Sequence, residues 1–275
     1  MHPVQVISLG LQLLRQHGQR LLGTIGVAYA WLLPGMLLEL PVGWLLMEAG
    51  GESMLWWLIP FILGMLVCWI LGTAALLYRG AAVSRWVYLL GQGQPESLEE
   101  SLGQLYPRKW RFFSLAVQVG LRLLGLYLLC AVVLAMILGG QIGELLLAPS
   151  PAAISAALGV GLLLVLGAMV GTYYWCARWL VAEVVLALEP NLNAAQAMQR
   201  SWQLSQQSLG WLLGTVGLTT LFSLPLAALT GYGEGSVVGI LLTAAVGLVL
   251  TGLWQVLKGI VYGELCRRSA LAASQ

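Results

Sequence analysis

The sequence predicts an all-α integral membrane protein, with six transmembrane helices arranged as three hairpins, each preceded by an amphipathic interfacial helix. Long apolar stretches, one-sided basic residues and helix start signals lead to this fold class. Of 275 residues, 59% are hydrophobic and 9% are charged, whereas soluble domains carry about 25% charged residues. We therefore expect a single polytopic membrane domain over residues 1–275.

Six apolar stretches are each long enough to cross a bilayer core, which takes about 20 helical residues. They cover residues 20–40, 55–78, 113–138, 155–177, 209–229 and 237–262. The links after the first, third and fifth stretches contain no Lys or Arg, only the acidic residues Glu48, Glu52, Glu144 and Glu234. All 13 Lys and Arg residues lie toward the other side, including Arg122 and Lys258, which fall inside spans. The positive-inside rule then predicts cytoplasmic N- and C-termini.

Capping signals predict helices that lie along the membrane surface. Ser97 with Glu100 forms a capping box, and Asn193 with Gln196 is its amide version. Behind each cap, apolar residues recur at helical spacing opposite a polar face, as in helices of the headgroup plane. The stripes are Leu98, Leu102, Leu105 and Tyr106 in one helix, and Ala194, Met198 and Trp202 in the other. A weaker cap at Ser8 predicts a third such helix near the N-terminus.

Two sequence echoes predict that one unit, an interfacial helix followed by a hairpin, is used three times. Leu-Leu-Gly-Thr-Ile-Gly at 21–26 recurs as Leu-Leu-Gly-Thr-Val-Gly at 212–217, and Arg85-Trp86 is echoed by Arg178-Trp179. The expected repeat units are 5–92, 95–189 and 190–268.

The stretch from Arg178 to Gly214 carries a recognisable pattern. An Arg-Trp pair leaves a span, Glu189-Pro190 forms a turn, and the next helix has an alanine followed by Arg-Ser-Trp. This pattern resembles bacterial proteins with a glycerophosphoryl diester phosphodiesterase membrane domain, and the matching residues are Ala197, Arg200, Ser201 and Trp202. The resemblance concerns the membrane part only, without the catalytic barrel. It implies a six-span architecture in the bacterial inner membrane, and no activity.

The residue types that most catalytic and metal sites need are scarce. The chain has no Asp, only His2 and His17, and four scattered Cys residues, so triads, Walker pairs and zinc sites lack their side chains. We therefore expect no enzyme, no metal and no cofactor. A net charge of +2 without a basic water-exposed cluster also argues against a nucleic-acid partner. Among the glycines, Gly167 with Gly171 and Gly259 with Gly263 are expected to pack helices closely.

One polar cluster is predicted within the inner leaflet. Arg122 lies about ten residues into the third span, Gln118 is one turn away, and Glu183 follows the fourth span. A charge at the centre of a span costs about 2.5 kcal/mol or more, so such residues usually face protein or water. Either the three residues form a site for a lipid phosphate or an anionic solute, or Arg122 simply reaches the headgroups and Glu183 lies at the interface.

Together these features favour a non-enzymatic inner-membrane protein that organises lipid or supports a membrane protein complex. Its expected partners are membrane lipids and a membrane protein. The alternative is a small transporter or lipid-handling protein that uses the inner-leaflet polar cluster. The two differ in charge placement, because a carrier is expected to seat charges near the midplane between broken helices.

Overall fold

The computed structural model describes residues 1–48, 52–94, 96–139, 151–228 and 236–273. Within these ranges the regular secondary structure is entirely helical. The long helices are α1 (Pro3–Glu48), α2 (Glu52–Gly91), α4 (Lys109–Gly139), α5 (Pro151–Trp179), α8 (Leu209–Ala228) and α9 (Val237–Ala273). The short helices are α3 (Leu98–Leu105), α6 (Ala182–Leu188) and α7 (Ala194–Ser205), with 3₁₀ turns at Tyr106–Arg108 and Gln206–Ser208. The predicted outer-link residues Glu144 and Glu234 lie outside the described residues.

Six helical segments of the described chain are long and apolar enough to cross a membrane. They are Pro3–Pro41, Ile59–Gly91, Leu98–Val133, Gly161–Leu188, Ala194–Leu226 and Val237–Ala272. Mid-span side chains such as Leu129, Leu163 and Val170 are mostly exposed, at 62%, 71% and 68%, as expected for side chains that face lipid. Backbone groups inside lipid must be satisfied within the segment, and a helix does so. The prediction of an all-helical, multi-pass membrane protein is confirmed.

The N-terminal segment differs from its prediction. Ser8 does not cap a separate helix, because α1 begins at Pro3 and continues unbroken to Glu48. The His2 carbonyl accepts hydrogen bonds from the backbone N–H groups of Gln5 and Val6, which starts the helix. No proline interrupts the chain between Ser8 and the first apolar stretch, so nothing forces a break there. The amphipathic segment is therefore the first part of a span-containing helix.

The two predicted capping boxes form as hydrogen-bonded pairs. The Ser97 hydroxyl accepts from the Glu100 N–H at 3.1 Å, and the Glu100 carboxylate accepts from the Ser97 N–H at 2.7 Å. Asn193 and Gln196 exchange the equivalent bonds, each at 2.9 Å. Of the predicted stripes, Leu105, Ala194 and Met198 are buried, whereas Tyr106 is 54% exposed. The caps account for where α3 and α7 begin, and burial is one-sided on both helices.

The core lies toward the end of the bundle that carries the basic residues. There α1, α2 and α9 make the most extensive contacts with one another. At the crossing of α2 and α9, the Ser84 hydroxyl lies 2.8 Å from the Gln255 carbonyl oxygen. A Cβ atom at Gly259 would lie 2.5 Å from the Ser84 carbonyl oxygen, so only glycine permits this approach.

The other glycines expected to pack helices give a mixed result. A Cβ atom at Gly263 would make an ordinary contact with Tyr88, and one at Gly171 would lie 3.1 Å from Leu126. A Cβ atom at Gly167 would meet nothing within 4 Å. Of the two retained pairs, Gly259 with Gly263 therefore faces a neighbouring helix at both positions, and the other pair does so only at Gly171.

Candidate functional site

The short helix α6 organises the basic end of the bundle. Its residues from Ala182 to Ala187 are all buried. The last carbonyls of a helix have no intrahelical partner, and here arginines from α2, the first 3₁₀ turn and α4 donate to carbonyls at this end. The bonds run from Arg85 to Ala187 (2.9 Å), from Arg108 to Leu186 (3.4 Å) and from Arg111 to Pro190 (2.8 Å). Cations at a helix C-terminus are favourable. These three arginines, which served above only to predict the orientation of the chain in the membrane, therefore also hold α6 in place.

Arg85 has a carboxylate partner just before α3. Its guanidinium donates two hydrogen bonds to Glu96, at 3.1 and 2.9 Å, and the Ser101 hydroxyl adds a third at 2.7 Å. Burial disfavours the charged carboxylate, but these hydrogen bonds and the charge of Arg85 outweigh it, and the pKa of Glu96 lies below its ordinary value. The Arg85 charge is therefore neutralised within the protein.

Two residues of the family-like motif, Ser201 and Trp202, contact Arg178 at the end of α5. The Arg178 guanidinium lies 4.7 Å from the Trp202 ring centre, and the Ser201 hydroxyl donates to the Arg178 carbonyl at 2.7 Å. Ala197, one turn before Ser201 on α7, is fully buried. Arg200 points outward and lies 3.9 Å from Glu189. The two parts of the motif, which are separated in sequence, thus form one packing unit.

Two of the predicted site residues, Arg122 and Gln118, lie on α4 with Arg111 and Ser114. The four positions are spaced three or four residues apart, so they share one helix face. Arg111, Ser114 and Gln118 line a groove of about 730 Å³ whose other wall is residues 191–196, at the start of α7. No carboxylate lines this groove among the described residues. We call it the α4–α7 groove.

Arg122 lies one turn beyond Gln118 on the same face. Its guanidinium donates to the Met198 sulfur at 3.5 Å and lies 5.4 Å from the Trp179 ring centre. The residue is exposed. In the part of the chain that the structure describes, no carboxylate pairs with Arg122. Its charge is available to an anion from outside the protein.

The third predicted residue, Glu183, pairs with Lys258 of α9 instead of with Arg122. The sequence placed Lys258 inside a span but assigned it to no site. Its partner lies 75 residues away on α6, and only the packing of α6 against α9 brings the two together. The position of Lys258 well inside its span could have indicated this pair, because a lysine at such a depth implies an opposite charge on a neighbouring helix.

This ion pair lines a second cavity, of about 390 Å³, between α2, α4, α5, α6 and α9. Apart from the ion pair and the Cys176 thiol, its walls are apolar side chains and backbone. We call it the Glu183–Lys258 cavity. Trp179 lines it, so the Arg122 guanidinium stands over a residue of the cavity wall.

A second buried carboxylate, Glu264, connects α1 to α9. It is 3% exposed, and the Met1 ammonium lies 2.6 Å from its oxygen. Arg267 and Arg268 of the same helix also pair with it. Three cations thus pair with one buried carboxylate, and the bond from Met1 fixes the start of α1.

The fold and these polar sites define a multi-pass helical membrane protein with ion pairs and arginines gathered at one end of the bundle. Among the described residues, no group of His, Cys or Glu side chains is placed to hold a metal ion. No protein-family model, curated protein or solved structure matches this chain.

Proposed function

We propose that this chain is a non-enzymatic protein of the bacterial inner membrane that organises lipid in the cytoplasmic leaflet, with both termini on the cytoplasmic side. In this proposal the six spans form three hairpins, and α3 and α7 lie along the headgroup plane. The resemblance of the Arg178–Gly214 stretch to phosphodiesterase membrane domains supports the same architecture. A supporting role for a partner membrane protein is compatible with it.

The observation that carries the proposal is the polar face of α4. Arg111, Ser114, Gln118 and Arg122 lie on one helix, and the first and last are 11 positions apart, which is roughly 16 Å at 1.5 Å per residue. Both arginines are exposed, and no carboxylate lines the adjoining groove within the described chain. A lipid phosphate supplies the missing negative charge, and the guanidinium geometry allows a bidentate contact.

Arg122 is the sharpest test. Replacing Arg122 with leucine removes the deeper cation, and we expect the affinity for phosphatidylglycerol to fall roughly tenfold or more, as for a lost charged hydrogen bond. The melting midpoint in detergent should fall with it. Arg122→Lys should recover only part of both, because an ammonium cannot make the bidentate contact. Native mass spectrometry of the delipidated protein titrated with lipid measures the affinity.

Arg20 provides a matched control, since it is an exposed arginine on α1 and is not part of the polar face of α4. Arg20→Leu should leave phosphatidylglycerol binding unchanged. If Arg122→Leu binds the lipid as the parent does, or melts at the same or a higher temperature, Arg122 merely extends to the headgroups and the proposal fails.

A small lipid-handling or transport protein is the second candidate. The Glu183–Lys258 cavity favours it, because an intramembrane ion pair beside an apolar cavity is a common feature of substrate sites. Transport would require movement of lipid across or out of the cavity, which a fluorescent-lipid flux assay in proteoliposomes detects.

A further inference from the structure

The Glu183–Lys258 cavity has the size and lining of a binding site. Its volume of about 390 Å³ lies within the range of roughly 300–1,000 Å³ that is usual for small-molecule sites. The apolar part of the wall comes mainly from Leu77, Phe112, Leu115 and Val119. Such sites combine an apolar lining with a few convergent polar groups, and here those groups are the two members of one ion pair.

The ion pair itself calls for an explanation other than stability. The Glu183 side chain is 10% exposed and the Lys258 side chain 18% exposed, so both charges have lost most of their water. The attraction between two buried charges often does no more than offset the loss of hydration, and an apolar pair of the same size is frequently as stable. Charges retained inside a membrane segment usually serve a site.

The cavity opens between α4 and α5. Gly120 and Cys176, which lie on these two helices and line the cavity, are both exposed. A Cβ atom at Gly120 would meet nothing within 4 Å, so the space beside this glycine is free. A lipid can therefore reach the ion pair sideways from the membrane.

We propose that this cavity binds a zwitterionic phospholipid, with its phosphate on Lys258, its primary ammonium on Glu183 and its apolar part along α4. Glu183 and Lys258 present opposite charges to any occupant, and a headgroup with both charges matches them. A purely anionic headgroup would leave its negative charge close to Glu183. This site is separate from the α4–α7 groove, which has arginines and no carboxylate in the described residues.

Gly120→Leu tests the proposal without removing any existing contact. The new side chain fills the mouth of the cavity, while the helix loses a flexible residue. We expect at least a tenfold lower affinity for phosphatidylethanolamine by native mass spectrometry, with the melting midpoint of the lipid-free protein unchanged or higher. Binding of phosphatidylglycerol, which tests the α4–α7 groove, should be unchanged.

Gly125→Leu is the matched control, because Gly125 also lies on α4 with free space at its Cβ and does not line the cavity. It should bind both lipids as the parent does. If Gly120→Leu binds phosphatidylethanolamine as tightly as Gly125→Leu, the proposal is overturned, whatever the result for Arg122→Leu.

A double variant, Glu183→Gln with Lys258→Met, tests the headgroup chemistry. It removes both charges together, so that neither is left unpaired. Loss of the preference for phosphatidylethanolamine over phosphatidylglycerol is the expected result. Retention of that preference would show that the pair only braces α6 against α9. The Arg122→Leu variant provides a further check. If that variant still prefers phosphatidylglycerol to phosphatidylethanolamine, the zwitterionic assignment is contradicted.

Discussion

Arg178 and Arg85 occupy equivalent positions in the predicted repeat, yet their charges are stabilised differently. Arg85 pairs with Glu96, which directly precedes the cap residue Ser97. The residue that precedes the matching cap at Asn193 is Leu192. Arg178 is 8% exposed. Within the described chain its guanidinium contacts neutral groups, which are the hydroxyl and ring of Tyr174, the Ser205 hydroxyl and the Trp202 ring. The aromatic face therefore takes over part of the role of the carboxylate.

Trp202→Leu should consequently be destabilising. A desolvated cation–π contact is worth about 2 kcal/mol, and the smaller side chain also leaves a gap beside Arg178. We expect a loss of about 2 kcal/mol or more, measured by denaturant unfolding in detergent, with Trp202→Phe in between. Trp31→Leu is the comparison, because Trp31 is 54% exposed. Similar losses for both tryptophans would mean that the contact with Arg178 contributes nothing specific.

Glu96 makes the stability of the α3 junction depend on pH. Its pKa in the folded protein lies below the ordinary value of 4.5, so the carboxylate stabilises the fold fully above that value. The contribution is lost as the pH falls through the lower, folded-state pKa. Melting curves from pH 7 to pH 3 should show the parent losing more stability than Glu96→Gln below about pH 4.5. Parallel curves for the two proteins would contradict this role.

At the scale of single elements, the sequence predicts the features that depend only on residues close together in the chain. Hydropathy locates the spans, and the Ser97 and Asn193 caps locate the starts of α3 and α7, because both signals are complete within a few residues. The continuity of α1 past Ser8 was not predicted, because a possible cap residue does not show whether the residues before it are already helical. The pairing of Glu183 with Lys258 was not predicted either, because it depends on how α6 packs against α9.

The placement of α3 and α7 at the membrane surface is a prediction that labelling can test. In α3, a spin label at Leu102 should be relaxed by oxygen dissolved in lipid, and one at Gln104 by a water-soluble nickel chelate. In α7, labels at Gln199 and Gln203 should behave as Gln104 does, because both side chains are exposed on the polar face. Equal water access at Leu102 and Gln104 would make α3 an ordinary loop helix above the membrane.

For the whole molecule, the orientation in the membrane follows from charge. No Lys or Arg occurs in the three predicted outer links, so we expect both termini in the cytoplasm. Reporter fusions at residue 275 and within residues 50–53 should give opposite signals, with the cytoplasmic signal at the C-terminus. Equal signals at the two positions would refute the six-span topology.

The packing of α1 and α2 against α9 also sets the order of assembly during synthesis. The Tyr29 hydroxyl lies 3.0 Å from that of Thr251, and Ser84 contacts Gln255, so the first two helices find these partners only after α9 has been made. Roughly 150 residues separate α2 from α9, which takes on the order of ten seconds to translate. The Ser84 hydroxyl keeps a hydrogen-bond acceptor before α9 is made, because it also donates to the Gly80 carbonyl of its own helix, at 3.2 Å. Tyr29 and the face of α2 around Gly80, where a Cβ atom would lie 2.5 Å from the Gln255 side chain, lack these partners in that interval, and a chain that stalls before α9 would expose them to the proteases and chaperones of the membrane.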